Sequence, residues 1–345
     1  FEYLCKAIPR FGGKAIQTED EIAALAVCIG ASFAGRKAMT PTSGPGMALM
    51  SELLNLAAML EVPVVVVDVQ RGGPSTGLPT KTEQSDLSFA VFGTPGDAPR
   101  IVLAPWDIQD CFYQTIRAFN LAEKYQSPVI VLTDASLAFR VQTVPEPDID
   151  AIQLVERLQP DPATAANGYR RYLLTESGLS PMAIPGTPGF GHIASSLEHI
   201  ETGTPNYSPE VHQKMSEKRA RKIAVVPAQE ADTDVLLDDP HARVGIISWG
   251  STRGAILEAR EHLLQDGIHT AYLHPKLLWP IQEQLIGDFI RRFDKVLVLE
   301  ENFSGQFARL IRAQFLYQPV SVCRAGGAPF TPGEIYKCVK EAVKP

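Results

Sequence analysis

The chain has 345 residues, a length that suits about two domains, and its 45% hydrophobic and 21% charged residues are those of a globular protein. A net charge of −7 with no basic stripe argues against a nucleic-acid partner, and no apolar run approaches the ~20 residues that a membrane-spanning helix requires. Five scattered cysteines (Cys5, Cys28, Cys111, Cys323, Cys338) with no C-x-x-C pair argue against zinc or an iron–sulfur cluster in this chain, and suit buried thiols in a reducing cytoplasm.

The chain opens on EYLCKAI, which reads as a helix already in progress, so an N-terminal portion ahead of Phe1 is expected. EDEIAALAVCIGASFAG is helical with small residues that allow close packing, RKAMTPTSGPG gives a short strand and a turn, and GMALMSELLNLAAML gives a single helix. VPVVVVDV is a buried strand by its length and β-branching. APRIVLAP is a further strand, DIQDCFYQTIRAFNLAEKYQ a helix with an acidic start, and SPVIVLTD another strand. From Val141 the alternation fails. Nine prolines fall between Pro145 and Pro209, interrupted by one predicted helix, SPEVHQKMSEKRARKIA. A stretch this long is either functional or an extended strap against a partner. The basic runs RKAMT and KRARK read as solvated helix ends or loop charges. Alternation then returns with strands in ARVGIISWGS, HTAYLHPK and DKVLVLEEN, and helices in TRGAILEAREHLLQDG, PIQEQLIGDFIRRF and SGQFARLIRAQF. The fold class expected is α/β: two doubly wound, mostly parallel domains over 1–140 and 240–345, joined by a strap over 141–239.

Ligands of open parallel sheets bind beyond the carboxyl ends of the strands, and three such ends carry unusual chemistry. In TPTSGPGM the chain turns directly into a helix N-terminus, whose free N–H groups suit an anion or a carbonyl group; a plain tight turn is the alternative. The G-K-[ST] of a nucleotide P-loop is absent. In QRGGPSTGLPTK the glycines remove side-chain bulk, Arg71 is the first cation past the sheet and can grip a carboxylate through two parallel hydrogen bonds, and Thr76 and Thr80 add hydroxyls. An ordinary surface loop with a solvated arginine is the alternative. In LEENFSGQ, Glu300 and Glu301 are expected to cap or solvate the following helix. His192 and His199 either reach a site or satisfy backbone carbonyls.

TSGPG at 42–46, QRGGPSTGLPTKTEQSDL at 70–87, ISWGS at 247–251 and ENFSGQ at 301–306 together resemble the α subunit of 2-oxoacid:ferredoxin oxidoreductases, most closely the 2-oxoglutarate branch, over nearly the whole chain. The resemblance implies a thiamine diphosphate pyrimidine-binding domain followed by a transketolase-C-terminal-like domain. It implies thiamine diphosphate shared with a β subunit, which brings Mg²⁺ and a [4Fe–4S] cluster, and it implies coenzyme A, a 2-oxo acid and ferredoxin as reaction partners. In such enzymes a glutamate set against the ring nitrogen N1′ favours the tautomer that activates C2 of the thiazolium. Glu21, with Gly30 and Gly35 following, matches the family pattern E-x8-G-x4-G, whereas Glu19 is off register by two and faces nearly the opposite side of a helix. The resemblance also places Thr42, Ser43 and Gly44 at the cofactor, and Arg71 and Thr80 at the substrate carboxylate. The family's Tyr-Pro-Ile-Thr-Pro-Ser segment is not in this chain and would precede Phe1.

The implied activity is oxidative decarboxylation of 2-oxoglutarate to succinyl-CoA. Pyruvate or 2-oxoisovalerate remains an alternative substrate, and a non-catalytic scaffold for the partner chain an alternative role. A dinucleotide-binding dehydrogenase is disfavoured, because no G-x-G-x-x-G follows a predicted strand.

Overall fold

The computed structural model describes residues 2–344. Its first sheet is built from β1 (Met39–Thr42), β2 (Val64–Gln70), β3 (Ile101–Leu103) and β4 (Pro128–Asp134), which lie parallel in the spatial order β1-β2-β4-β3. Val66 stands beside Thr40 on one side and Ile130 on the other. Successive valines of β2 serve opposite faces. Val64 and Val66 join Leu25 and Leu54 of helices Glu21–Phe33 and Ser51–Met59. Val65 joins Ala118 and Leu121 of helix Ile108–Tyr125. Helices on both faces explain why this strand reads as continuous valine instead of alternating with polar residues.

The second sheet comprises β5 (Leu236–Leu237), β6 (Val244–Ser248), β7 (Thr270–Leu273), β9 (Lys295–Glu300) and β10 (Val320–Cys323), with β8 (Leu277–Trp279) standing outside it. The order is β10-β9-β6-β7-β5, parallel except for β5, which runs antiparallel to β7. One face is covered by helices Arg253–Gln265 and Pro332–Ala342, through Ile256, Leu263, Ile335 and Val339. The other face contributes Ile247, Val296 and Val298 to the same hydrophobic cluster that holds Leu25, Val64 and Ile130. The two α/β units therefore share one continuous core.

They also share a strand, which the sequence pattern had not indicated. β8 leaves the second unit and pairs antiparallel with β3, setting Trp279 beside Val102 and extending the first sheet to five strands. Two further expectations are corrected. The predicted helix GMALMSELLNLAAML is two helices, Gly44–Leu49 and Ser51–Met59, which meet at Met50. The KRARK run is not a solvated helix end. Its helix, Pro209–Ala224, turns Lys218 and Lys222 into the protein, where neither is exposed to solvent. Lys218 Nζ donates to both oxygens of the buried Glu61 carboxylate at 2.7 Å. Lys222 Nζ reaches Glu61 Oε2 at 3.2 Å and the Gln126 carbonyl at 2.6 Å. The four-residue spacing puts both lysines on one helix face, and the counter-charge lies far upstream in sequence, so local composition could not reveal the burial. Arg221, between them, is exposed as expected.

Candidate active site

The strand ends of the first sheet gather the residues that the motifs single out. Helix Glu21–Phe33 starts at Glu21 because Asp20 caps it, its side chain accepting from the Ala23 N–H at 2.8 Å. Glu19 stays outside the helix and exposed. Glu21 is half-buried and leans toward the end of β1. The contact is made over Gly46: a Cβ there would lie 2.1 Å from Thr42 Oγ1 and 2.7 Å from Glu21 Cγ. Only glycine lets the helix after TSGPG approach Thr42 and Glu21 this closely. Ser43 is half-buried at the start of helix Gly44–Leu49 and makes no side-chain capping bond.

Gly44 performs the same service for another residue. A Cβ at this position would fall 2.8 Å from each oxygen of Asp86. Asp86 forms one half of a buried acidic pair with Asp68, which is fully buried near the end of β2. Burial, and then the neighbouring Asp86, push the Asp68 carboxyl well above the usual carboxylate range, with Arg71 opposing. Burial raises Asp86 to about 6 against the hydrogen bonds of Ser85 and Asp68 and the charge of Arg71. Asp86 thus disfavours the charge of Asp68, and Arg71 is the cation that opposes the shift at both.

Arg71 follows β2 directly and is half-buried, with its Nε enclosed and without a hydrogen-bond partner among the described residues. The loop beyond it folds on itself through Leu78 N–H to Gly72 O at 2.7 Å and Gly72 N–H to Lys81 O at 3.1 Å. Gly77 closes this turn at φ +47°, where a Cβ would strike the Gly72 carbonyl at 2.1 Å. Thr80 is exposed on the loop and makes no hydrogen bond among the described residues. The structure thus joins Glu21 with Thr42, and Gly44 and Arg71 with the acidic pair, and leaves Thr80 on the surface.

The second unit meets this loop from the other side. Glu300 accepts from the Phe307 and Ala308 N–H groups at 2.7 and 2.9 Å, the capping role expected of it, but in a fully buried setting closed by Trp249 and Asn302. Glu301 is buried as well, which corrects the expectation of a solvated carboxylate. One of its oxygens accepts from the Phe330 N–H at 3.0 Å and the other has no hydrogen-bond partner among the described residues. Burial, and then Asp134 at the end of β4, push its carboxyl up to about 8. Gln84 is fully buried between the units and was passed over in the sequence, as were Asp68, Asp86 and Gln306. The EQSDL run that carries Gln84 and Asp86 was in view as a motif, but nothing in its composition says which side chains turn inward.

The histidines of the strap serve structure. His199 Nδ1 bonds the Leu197 carbonyl at 2.8 Å and its ring rests on Tyr172, while His192 Nδ1 bonds Phe190 O at 3.1 Å. A cavity of about 420 Å³ between helix Ile108–Tyr125 and the strap is lined by none of the candidate site residues, and its Arg117 and Lys124 are paired with Asp232 and Glu230. Among the described residues no group of three or more His, Cys, Asp or Glu side chains could hold a metal ion, and no helix is long and apolar enough to cross a membrane.

Residues 1–218 match the family described as pyruvate flavodoxin/ferredoxin oxidoreductase, thiamine diphosphate-binding, and residues 234–339 match the transketolase C-terminal domain. The class is therefore that of thiamine-type α/β oxidoreductase chains, with the two units in this order. The chain belongs to the α-subunit family of 2-oxoacid:ferredoxin oxidoreductases. It is 38% identical to 2-oxoacid:ferredoxin oxidoreductase 2, subunit alpha, of Aeropyrum pernix, over 95% of this chain and 51% of that protein. It is 35% identical to the 2-oxoglutarate synthase subunit KorA of Methanothermobacter thermautotrophicus, over 98% of this chain and 89% of that one. A solved structure of 2-oxoglutarate:ferredoxin oxidoreductase from Magnetococcus marinus, with 2-oxoglutarate, coenzyme A and succinyl-CoA bound, superposes with a TM-score of 0.96 at 49% identity, covering 99% of this chain and 59% of that one. The chain spans about half the length of the first curated relatives it matches.

Proposed function

We propose that this chain is the α subunit of a thiamine-dependent 2-oxoglutarate:ferredoxin oxidoreductase, which with its β subunit converts 2-oxoglutarate and coenzyme A to succinyl-CoA and carbon dioxide and passes the released electron pair to ferredoxin. The observation that carries the reading is the meeting of Glu21, Thr42 and Gly46 at the end of β1, in a chain 49% identical to a protein solved with 2-oxoglutarate and succinyl-CoA. The donor set fits thiamine diphosphate. Among the described residues no hydrogen bond or ion pair occupies the half-buried Glu21 carboxylate, and Gly46 keeps the space beside it narrow and free of a side chain.

When bound, thiamine diphosphate supplies the electron sink for decarboxylation. The work assigned to this chain is to hold that group and the 2-oxo acid. Glu21 holds a proton at the ring nitrogen N1′, Thr42, Ser43 and Gly44 form the wall of the strand end beside it, and Arg71 grips the substrate carboxylate through paired N–H donors. Thr80 contributes a hydroxyl from the loop when substrate is present. Mg²⁺ and the [4Fe–4S] cluster are assigned to the partner chain, in keeping with the scattered cysteines here. A cytoplasmic setting agrees with those free thiols.

The test is Glu21→Gln in the complex assembled with its β subunit. Turnover is expected to fall by roughly 10²–10⁴-fold, the scale of lost acid–base assistance, with assembly unchanged. Full activity in this variant would leave only a scaffold role for the chain. Turnover of 2-oxoglutarate, pyruvate and 2-oxoisovalerate by the same complex decides the substrate, and 2-oxoglutarate is expected to lead.

A further inference from the structure

The loop that bears Arg71 is held from outside its own sheet. Gln84 and Glu301 exchange a pair of hydrogen bonds, Gln84 N–H to Glu301 O at 2.6 Å and Glu301 N–H to Gln84 Oε1 at 2.9 Å. The same side chain donates from Nε2 to the Trp249 carbonyl at 2.6 Å, and Asn302 Nδ2 donates to the Gln84 carbonyl at 3.1 Å. Gly250, at φ +64°, gives Gln84 its room, since a Cβ there would lie 2.6 Å from Gln84 Nε2. Next along the loop, Gln306 Nε2 donates to the Ser85 carbonyl at 2.6 Å while Gln306 Oε1 accepts from the Ser88 N–H at 2.7 Å. Ser85 Oγ then donates to the carbonyl of Arg71 itself at 2.8 Å. A chain of hydrogen bonds thus runs from helix Gln306–Phe315 of the second unit to the backbone from which Arg71 projects.

We propose that Gln306, acting through Ser85, is a positioning residue for the 2-oxo acid: it fixes the root of Arg71 so that the guanidinium meets the substrate carboxylate in register. This rests on the reading of Arg71 given above. A two-bond grip on a carboxylate tolerates little angular error, and a long side chain has the correct aim only if its backbone is fixed. The exposed part of the loop is closed by backbone bonds within itself and lies against Gly327, contacts that do not reach the Arg71 carbonyl. The Arg71 Nε is enclosed and makes no hydrogen bond among the described residues, so no such bond aims the guanidinium through that nitrogen.

The experiment uses the complex with its β subunit and the variants Gln306→Met, which keeps length without hydrogen bonds, and Ser85→Ala, with Arg71→Lys alongside. Each of the first two is expected to raise KM for the 2-oxo acid about five- to tenfold, with kcat within about twofold and KM for coenzyme A unmoved. The double variant is expected to be no worse than the more affected single one, because both break the same link. If Arg71→Lys raises that KM and neither Gln306→Met nor Ser85→Ala does, the positioning role is wrong and the Arg71 reading stands. If Arg71→Lys leaves it unchanged, the Arg71 reading itself fails. A drop in kcat and a shift in both KM values, together with a lower thermal midpoint, would show Gln306 to be a structural tie only. Should Gln306→Met not assemble, Ser85→Ala alone decides, since it removes one hydroxyl from a half-buried side chain.

Discussion

At Gly46 a single hydrogen separates an open strand end from a blocked one. Alanine there would set a carbon 2.1 Å from Thr42 Oγ1, so Thr42 or the start of helix Gly44–Leu49 must move, and Glu21 with them. Gly46→Ala is expected to weaken thiamine diphosphate binding and lower turnover, read by cofactor titration of the assembled complex; unchanged cofactor affinity would remove Gly46 from the site. Glu301 carries a second residue-scale prediction. Its carboxyl is raised to about 8 in the folded protein, above an unfolded value of about 4.3. The folded state thus holds the proton more tightly. The associated stability is present in full below the unfolded value and is lost as pH rises through the folded one. Thermal midpoints taken between about pH 5 and 8 should therefore decline less steeply for Glu301→Gln than for the unaltered chain. Parallel profiles would show that Glu301 is ionised throughout. Such residue-level facts are where sequence reading had least to work with. Glu21 was singled out because its spacing to Gly30 and Gly35 matches the family pattern, whereas Asp68 and Asp86 meet because the chain after β2 folds back on the strand end, and a linear pattern does not record that.

Among the elements, helix Pro209–Ala224 shows how a charge run can mislead. Its composition is that of a solvated helix, yet Lys218 and Lys222 lie buried over Glu61 and the C-cap carbonyl of Gln126. Burial draws the Lys222 ammonium down to about 7 even with Glu61 beside it, so the cluster depends on that one carboxylate. Glu61→Ala leaves two buried ammonium groups without a counter-charge and should cost about 3–5 kcal/mol, the scale for breaking a buried ion pair. Chemical denaturation measures it, and hydrogen exchange should show helix Pro209–Ala224 losing protection first. A loss under about 1 kcal/mol would mean that the lysines escape to water or deprotonate. By contrast β2, β4 and helix Ile108–Tyr125 were legible from sequence, because length, β-branching and helical periodicity are local properties that packing did not override. The break at Met50 between helices Gly44–Leu49 and Ser51–Met59 was not, since the residues on either side of it, from Met47 to Leu49 and from Ser51 to Met59, contain no Gly or Pro to mark it.

For the whole molecule, the alternation of strands and helices was enough to predict two α/β units and a proline-rich connection. What it could not supply was their fusion, because β8 is three residues long and pairs with a strand far upstream. The shared core and this borrowed strand predict the outcome of cutting the connection. A protease nick near the fully solvated Val141, which is 97% exposed, should leave two fragments that co-elute on native gel filtration and part only in denaturant. Separation under native conditions would mean that the contact between units is weaker than the continuous burial implies.

The same borrowed strand bears on how the chain is made. Until synthesis has passed Trp279, the outer edge of β3 has no neighbour, and a nearly complete parallel sheet offers unpaired N–H and C=O groups to any extended peptide nearby. The nascent first half is thus at its most aggregation-prone when it is already largely folded. Expression of the first unit alone should demand a chaperone or give inclusion bodies, whereas supplying the second half in trans gives β3 its missing neighbour.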